Sequence, residues 1–376
     1  MKSTQYKYSG GSWQTRGSKD MDGQEADLVL CFGGKEQIAQ NKVYDSLREK
    51  FPKAEISICS TSGEILQSAV YDNSLVAAAI QFDSTEIRSV STSIADHDSS
   101  FSAGQFLANE LPSDGLQYIM VFSDGSQVNG SELVKGLSTA EVLVTGGLAG
   151  DGYDFESTLV GLNASPEEGK ILVLGFYGDK LKVAHGSQGG WDNFGLERKI
   201  TKAEANVLYE IDGENALDLY KKYLGDEAKE LPGAALLYPL SVIIPGLDKP
   251  VVRTILSVNE EEKSMVFAGD VPEGSSVRLM RANFDRLRIA ASNAAVLSAK
   301  DGLPDDSFAL LVSCVGRKLV LGPRVEDEIE AVRQTLGTNV PVLGFYAYGE
   351  ISPFNEGGDC QLHNQTMTIT TFYELQ

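Results

Sequence analysis

The chain is poor in the residues that most often carry chemistry. It has three histidines and four cysteines in 376 residues. So few histidines leave little scope for a metal centre or for histidine acid–base work. Cys31, Cys59, Cys314 and Cys360 lie far apart with no Cys-x-x-Cys spacing, which argues against structural zinc and against a disulfide framework. Cys31 and Cys314 sit inside apolar runs, where a thiol behaves as a small buried hydrophobe. No apolar run reaches the roughly 18–20 residues a helix needs to span a bilayer. Residues Met1 to Gln24 are polar and Gly/Ser-rich and lack the apolar core of a signal peptide, so the expected compartment is the cytoplasm. Basic residues are in deficit, 32 against 53 acidic ones, for a net charge of −21 spread along the chain. Such a surface repels phosphates, so neither nucleic acid nor an anionic membrane is an expected partner. The phosphate loop ending Gly-Lys-Ser/Thr, the Gly-x-Gly-x-x-Gly turn into a helix and the Gly-x-Ser-x-Gly elbow are all missing, which excludes the usual nucleotide-binding and serine-hydrolase signatures.

What is present is an α/β pattern. A hydrophobic share of 42% and a charged share of 23% describe a globular chain whose length suits about two domains. Three continuous apolar runs, Asp27–Phe32, Tyr118–Phe122 and Phe308–Cys314, read as strands covered on both faces. Helices are expected over Glu36–Phe51, Ser102–Leu111, from an N-cap at Ser131 to Leu137, over Asn215–Leu224 and over Asp285–Ser298. Val325, Ile329, Val332 and Leu336 recur at helical spacing and give the best helical signal in the chain. Strands are expected at Gln5–Trp13, Glu55–Cys59, Ser74–Phe82, Ile87–Ile94, Val142–Thr145, Ser157–Leu162 and Lys170–Tyr177, the last continuing as a hairpin with Lys180–His185. Gly17–Gln24 and Gly186–Gly195 read as loops, Lys199–Ile211 as a charged connector between halves, and Leu362–Phe372 as one alternating strand.

Three segments share one format: buried strand, helix or linker, second strand, glycine and acid, returning strand. They run from Leu30 to Gly63-Glu64, from Met120 to Gly150-Asp151 and from Val312 to Gly349-Glu350. Repetition of this kind organises a chain into equivalent units. Loops at strand ends are where α/β proteins hold ligands, so the three Gly-acid loops are the expected walls of one site. Three carboxylates brought together would repel, so at least one is expected to be protonated or paired with a cation.

Ile58-Cys-Ser-Thr-Ser-Gly-Glu64, Gly146-Gly-Leu-Ala-Gly-Asp151, Gly344-Phe-Tyr-Ala-Tyr-Gly-Glu350 and Leu362-His-Asn-Gln-Thr366, taken in order, resemble the FIST family, over nearly the whole chain. The resemblance implies a FIST N-like domain over 1–205 and a FIST C-like domain over 206–376. It implies an intracellular sensory module that binds a small ligand, such as an amino acid or a related molecule, and signals to partners. Both domains fill the chain, so any output is expected to pass through a separate partner protein. The family also contains members that look like haem-binding nitric-oxide sensors, which makes haem the alternative cofactor.

The candidate ligand-binding residues are Gly63, Glu64, Gly147, Asp151, Tyr348, Gly349, Glu350, His363 and Asn364. Tyr346, Tyr348, Tyr153 and Phe155, beside the Gly-acid motifs, are candidates to stack on a planar ligand or to fill the core. His363 is a candidate donor, haem ligand or proton carrier, or else a local turn former with Asn364, and His185 is the other candidate haem ligand. Other readings of the same residues are an enzyme using Glu64, Asp151 or Glu350 as acid or base, and a non-catalytic interaction scaffold.

Overall fold

The three apolar runs become the central strands of three sheets in the computed structural model, which describes residues 1–376 apart from 17–19, 41, 232, 248, 356 and 376. Part of the loop expected over Gly17–Gln24 therefore lies outside the described residues. Elements are numbered in chain order. A hairpin of β1 (Lys2–Ser9) and β2 (Ser12–Arg16) opens the chain. The first repeat holds β3 (Leu28–Gly34), α1 (Lys35–Gln40), α2 (Val43–Lys50), β4 (Glu55–Thr61), β5 (Glu64–Leu66), β6 (Ala69–Tyr71) and β7 (Leu75–Gln81). The second holds β8 (Glu86–Ser93), α3 (Ser100–Glu110), β9 (Leu116–Ser123), α4 (Gly130–Leu137), β10 (Leu143–Leu148), β11 (Val160–Leu162) and β12 (Lys170–Tyr177). Then come β13 (Leu181–Gln188), β14 (Asp192–Glu204), β15 (Val207–Ile211), β16 (Glu214–Asn215), α5 (Ala216–Leu224), β17 (Leu240–Ile243), β18 (Val251–Arg253), β19 (Ile255–Asn259), β20 (Ser264–Phe267) and β21 (Ser276–Arg281). The third repeat closes the chain with α6 (Phe284–Ser298), β22 (Phe308–Cys314), α7 (Val315–Leu321), α8 (Val325–Leu336), β23 (Val342–Ala347), β24 (Gly349–Pro353), β25 (Cys360–His363) and β26 (Met367–Glu374).

Each repeat pairs its strands in the same way. The first and second strands are parallel (β3–β4, β9–β10, β22–β23) and the returning strand is antiparallel to the first (β7, β12, β26). The strand after each Gly-acid step leaves its own sheet and joins another. β5 pairs with β23, β24 pairs with β10, and β11 pairs with β4, so the exchange runs in a closed cycle through all three repeats. One phenylalanine from each repeat meets in the middle. Phe32 stacks on Phe345 at 4.6 Å, and Phe122 meets both edge-on at 5.4 and 5.9 Å. Burying such rings removes a large apolar area from water at about 25 cal/mol per Å².

The segment from Asp192 to Arg281 forms a fourth sheet of eight strands with its own core, including Leu208, Leu217, Tyr220 and Phe267. The overall class is thus α/β with mixed sheets in two domains. The inserted sheet is tied to the repeats by Arg253, whose Nη1 donates to the Leu362 carbonyl at 3.0 Å, and by Gln365, whose Nε2 donates to the Leu236 carbonyl at 3.1 Å.

Several expectations are corrected. The helix expected over Glu36–Phe51 is two, broken where Lys42 adopts a left-handed φ of 44°. The N-cap of α4 is Asn129, not Ser131; its side-chain oxygen accepts from the N–H groups of Ser131 and Glu132. Of Gly186–Gly195 only residues 189–191 are loop, and Lys199–Ile211 is not a connector. β13 runs to Gln188, and β14 and β15 pair as a hairpin whose turn falls at residues 205 and 206. Their polar residues face water from strands rather than marking loops. Lys170–Tyr177 and Leu181–Gln188 do not form a hairpin, because β13 pairs with β26 in another sheet. Of Ser157–Leu162 only Val160–Leu162 is strand. Leu362–Phe372 is two strands in different sheets, separated at the turn where Gln365 has φ 65°.

β26 ends on Glu374, a buried carboxylate that accepts from the N–H groups of Asp83, Ser84 and Thr85 and from the hydroxyls of Ser84 and Thr85. Burial alone pushes this carboxyl up, but those donors outweigh it and hold it at about 2, below the ordinary 4.5. A depressed folded-state value means stability that is present above about 4.5 and lost as pH falls towards 2. Glu374→Gln is therefore expected to be less stable than the parent at pH 7, with the gap closing between pH 4.5 and pH 2. Urea midpoints of the two proteins across that range check it; a gap independent of pH would refute it.

Candidate functional site

The acids of the Gly-acid steps act first as latches on the strand exchange. Glu64, 0% exposed, accepts from the Thr61 hydroxyl at 2.7 Å and from both the N–H (3.0 Å) and the hydroxyl (2.7 Å) of Ser74, the residue before β7. Glu350, also 0% exposed, accepts from the N–H (3.0 Å) and hydroxyl (2.8 Å) of Thr366, the residue before β26. Each carboxyl thus ties the strand that leaves a repeat to the strand that returns to it. Desolvation raises Glu64 to about 7 and Glu350 to about 8. Burial is the cause in both. Their hydrogen-bond partners are separate sets, so the three carboxyls are held in three places although their loops touch. The Gly150 N–H donates to the Ser60 carbonyl at 3.0 Å, and the Tyr346 N–H donates to the Gly63 carbonyl at 2.8 Å.

Asp151 differs from the other two because its latch faces a cleft. Its carboxylate accepts from the N–H groups of Phe155 (2.9 Å), Glu156 (3.0 Å) and Ser157 (3.0 Å) and, in a short bond, from the Tyr348 hydroxyl. Lys35 Nζ stands 3.8 Å away and donates to the Ser157 hydroxyl at 2.5 Å. The Phe155 ring stacks on Tyr348 at 4.5 Å with planes 15° apart. Burial, and then the Asp151 carboxylate, push the Tyr348 phenol far up, so it stays a donor. This aromatic pair lines a cleft of about 630 Å³ between the repeats and the inserted sheet. One wall is Gly125, Ser126 and Tyr153 to Glu156; the other is Leu236, Leu256, Ser257 and Val266, with Leu319 of α7. A smaller space of about 220 Å³ adjoins it along Gly125, Ser126, Leu256 and Tyr348 and reaches Asn129 and Asn206. The size suits a small ligand. Asp154 and Glu156 are the charged groups among the described lining residues, so the cleft favours a cationic end over an anionic one.

The remaining candidates lie elsewhere. Gly63 has φ 138°, a conformation suited to glycine, and packs against the Lys318 side chain. Lys318 Nζ donates to the Ser62 carbonyl at 2.7 Å, makes a short bond to Asp72, and sits 5.7 Å from the Tyr153 ring. A Cβ on Gly147 would strike Val312. Gly349 starts β24 opposite Leu148. Tyr346 is core, donating its hydroxyl to Glu328 at 2.9 Å. Asn364 Nδ2 donates to the Tyr348 carbonyl at 3.4 Å, behind the stacked ring. His363 lies across from Glu350, 2% exposed, with Nε2 2.9 Å from the Ser352 carbonyl and its ring edge-on to Phe354 at 4.5 Å. Burial lowers it to about 4, so it is neutral at pH 7. A haem ligand needs a ring nitrogen open to the iron and a flat slot beside it. The packing around His363 supplies neither, so that site does not fit haem. His185, on β13, borders a different groove of about 600 Å³.

The half of the cleft that comes from the inserted sheet carries no sequence signal. Leu236, Leu256, Ser257 and Val266 are ordinary strand and loop residues that converge only through tertiary packing. The turn at the Gly125 end of the cleft is built on Asp124, which accepts from the N–H groups of Ser126 and Gln127.

No helix among the described residues is long and apolar enough to cross a membrane. An uncharacterized protein of Methanocaldococcus jannaschii is 22% identical over 277 residues, 65% of this chain. The match spans 52% of that relative, so this chain corresponds to about half its length. A crystal structure of cyanuric acid hydrolase from A. caulinodans aligns with 78% of this chain and 100% of its own at 9% identity and a TM-score of 0.19, a likeness too slight to carry an argument. Family models match across both domains. The FIST N domain covers residues 27–214 and the FIST C domain residues 216–353, and the chain belongs to the FIST family of sensory domains.

Proposed function

We propose that the chain is an intracellular sensory protein whose small ligand lies in the cleft at Tyr348 and Phe155, and that it signals to a separate partner protein. The observation that carries this is the stacked pair itself: an aromatic platform, locked by Asp151 from behind, on the wall of a ligand-sized space between the repeats and the inserted sheet. Domain seams are common ligand sites, because a ligand touching both sides biases their relative positions. The carboxylates of Asp154 and Glu156 favour an amine, so the ligand class is an amino acid or a related aromatic or aliphatic amine. Glu64 and Glu350 are perturbed carboxyls but border none of these spaces, so they do not support an acid–base enzyme.

Phenethylamine, phenylalanine and phenylpropionate form a discriminating set of probes. The amine is expected to raise the melting temperature most and phenylpropionate least; a ligand at a hundredfold excess over Kd adds about 2.7 kcal/mol of stability. Stabilisation by phenylpropionate alone would refute the cationic preference. Native mass spectrometry of the protein as isolated tests for a co-purified molecule directly. Haem is the second reading, and it attaches to His185, which borders the groove of about 600 Å³. Addition of haem without a resulting Soret band removes it.

A further inference from the structure

The groove beside His185 runs along one edge of a sheet. Its floor is Val183 to Gln188 of β13, and among the described residues β13 is the last strand of its sheet. Leu297 at the end of α6 forms one wall, and Leu143 and Phe354 lie opposite. The ladder with β26 gives the direction of the backbone groups. The Leu375 N–H donates to the Lys180 carbonyl at 2.9 Å, so the bonded pairs fall on even-numbered residues of β13. The N–H and C=O groups of Val183 and Ser187 therefore point away from β26 and along the groove.

The fold contains its own precedent for filling this position. β1 stands to β7 as β13 stands to β26: each is antiparallel to the returning strand of its repeat. Beyond β1 the sheet gains one more strand, β2, paired from Gln5↔Arg16 to Ser9↔Ser12. In the third repeat the corresponding place is the walled groove of about 600 Å³.

We propose that this groove takes one extended segment of a partner protein as an added strand on β13, main chain to main chain. The occupant is a single strand rather than a second copy of the chain. A second copy pairing through its own β13 would bring its α6 and its Phe354 loop with it, wall against wall. The segment's chemistry follows from the lining. Leu143, Leu297 and Phe354 take apolar side chains from alternate positions. Lys249 and Lys300, with Asp301 beside them, place two cations here in a chain of net charge −21, which favours a carboxylate on the segment. The surface is independent of the Tyr348 cleft and stands whether or not that cleft binds an amine.

Nine-residue peptides selected from a random display library on the intact protein test it. Selected peptides are expected to alternate apolar residues and to be enriched in Asp or Glu. Binding is expected to slow amide exchange at Val183 and Ser187 at least tenfold. Ser187→Pro removes an outward N–H at an edge, where proline spares the ladder, and is expected to weaken a selected peptide at least tenfold without altering the ladder to β26. Lys249→Glu is expected to weaken acidic peptides severalfold. If Ser187→Pro does not fold, the exchange measurement on the parent protein decides. Four results would overturn the proposal: no selected peptide, binding that protects neither amide, full-strength binding to a folded Ser187→Pro, or protection of both amides by self-association without peptide. A Soret band abolished by His185→Ala would assign the groove to haem and overturn it as well.

Discussion

Arg317→Ala is expected to cost about 3–5 kcal/mol, the usual penalty for leaving half of a buried ion pair behind. Arg317 and Glu328 are both 0% exposed, with Nη2 2.7 Å and Nε 3.1 Å from the same carboxylate oxygen. The guanidinium also donates from Nη2 to the Leu287 carbonyl at 2.9 Å and makes a short bond to the Gly189 carbonyl. The other oxygen of Glu328 accepts from Ser313 at 3.2 Å and from the Tyr346 hydroxyl at 2.9 Å. One pair therefore joins α7, α8, β22 and β23. Removing the arginine strands an ionised carboxylate; removing the acid strands a cation that cannot lose its proton. The double change Arg317→Met with Glu328→Leu removes both charges and is expected to be less damaging than either single change. Urea unfolding of the three variants measures it, and a single-variant loss below about 1 kcal/mol would show the pair to be far weaker than its burial implies. Because α7 also carries Leu319 and Lys318, loosening this pair is expected to weaken ligand binding in the cleft as well.

Asp151→Asn is expected to abolish ligand-dependent stabilisation while the fold survives. An amide offers one acceptor oxygen where the carboxylate offers two, and its NH2 would face either the Phe155 N–H with the Tyr348 hydroxyl or the N–H groups of Glu156 and Ser157. Charge-assisted bonds of this type are worth about 1.5–3 kcal/mol each, but the loop they hold is largely at the surface, so the expected loss of global stability is about 1–3 kcal/mol. The local effect is larger. The loop carrying Tyr153 to Glu156 loses its anchor and the Phe155 ring its fixed position over Tyr348. Tyr348→Phe keeps the stack but removes the hydroxyl that donates to Asp151 and accepts from the Phe155 N–H at 3.1 Å, and is expected to weaken phenethylamine about tenfold, since fixing the platform is what the hydroxyl does. Titration of parent and variants by calorimetry checks both. Unchanged affinity in Asp151→Asn would remove this cleft from consideration as the ligand site.

The two glutamates show how one motif acquires different uses. Glu64, Asp151 and Glu350 occupy equivalent places in three equivalent units, and each binds back onto the segment that follows it. In two units that segment opens the returning strand, with Thr366 buried and Ser74 half-buried. In the second it is a surface loop facing the inserted sheet. Asp151 is therefore both a latch and the support of a binding wall, whereas Glu64 and Glu350 are latches. The glycine before each acid belongs to the same logic, since the chain passes between sheets there and neighbours leave no room for a side chain: Lys318 at Gly63, Ser62 at Gly150 and Leu362 at Gly349.

Much of this was legible in the residues alone. Short continuous apolar runs read as strands covered on both faces, so Asp27–Phe32, Tyr118–Phe122 and Phe308–Cys314 pointed to the three central strands, and the spacing of Val325, Ile329, Val332 and Leu336 to the helix that carries them. The threefold recurrence of strand, strand, glycine, acid and return was legible for the same reason: it is local order, written in consecutive positions. What only the tertiary structure decided is where each strand goes after its Gly-acid step. Pairing partners up to hundreds of residues apart, such as Glu64 with Phe345, leave no local trace, because one β-edge offers the same backbone donors and acceptors as another. The cleft follows the same rule. Tyr348 and Phe155 were visible as aromatics beside the motifs, but that they stack, that Asp151 locks them, and that Leu236, Leu256 and Val266 close the other side are consequences of packing between segments distant in the chain.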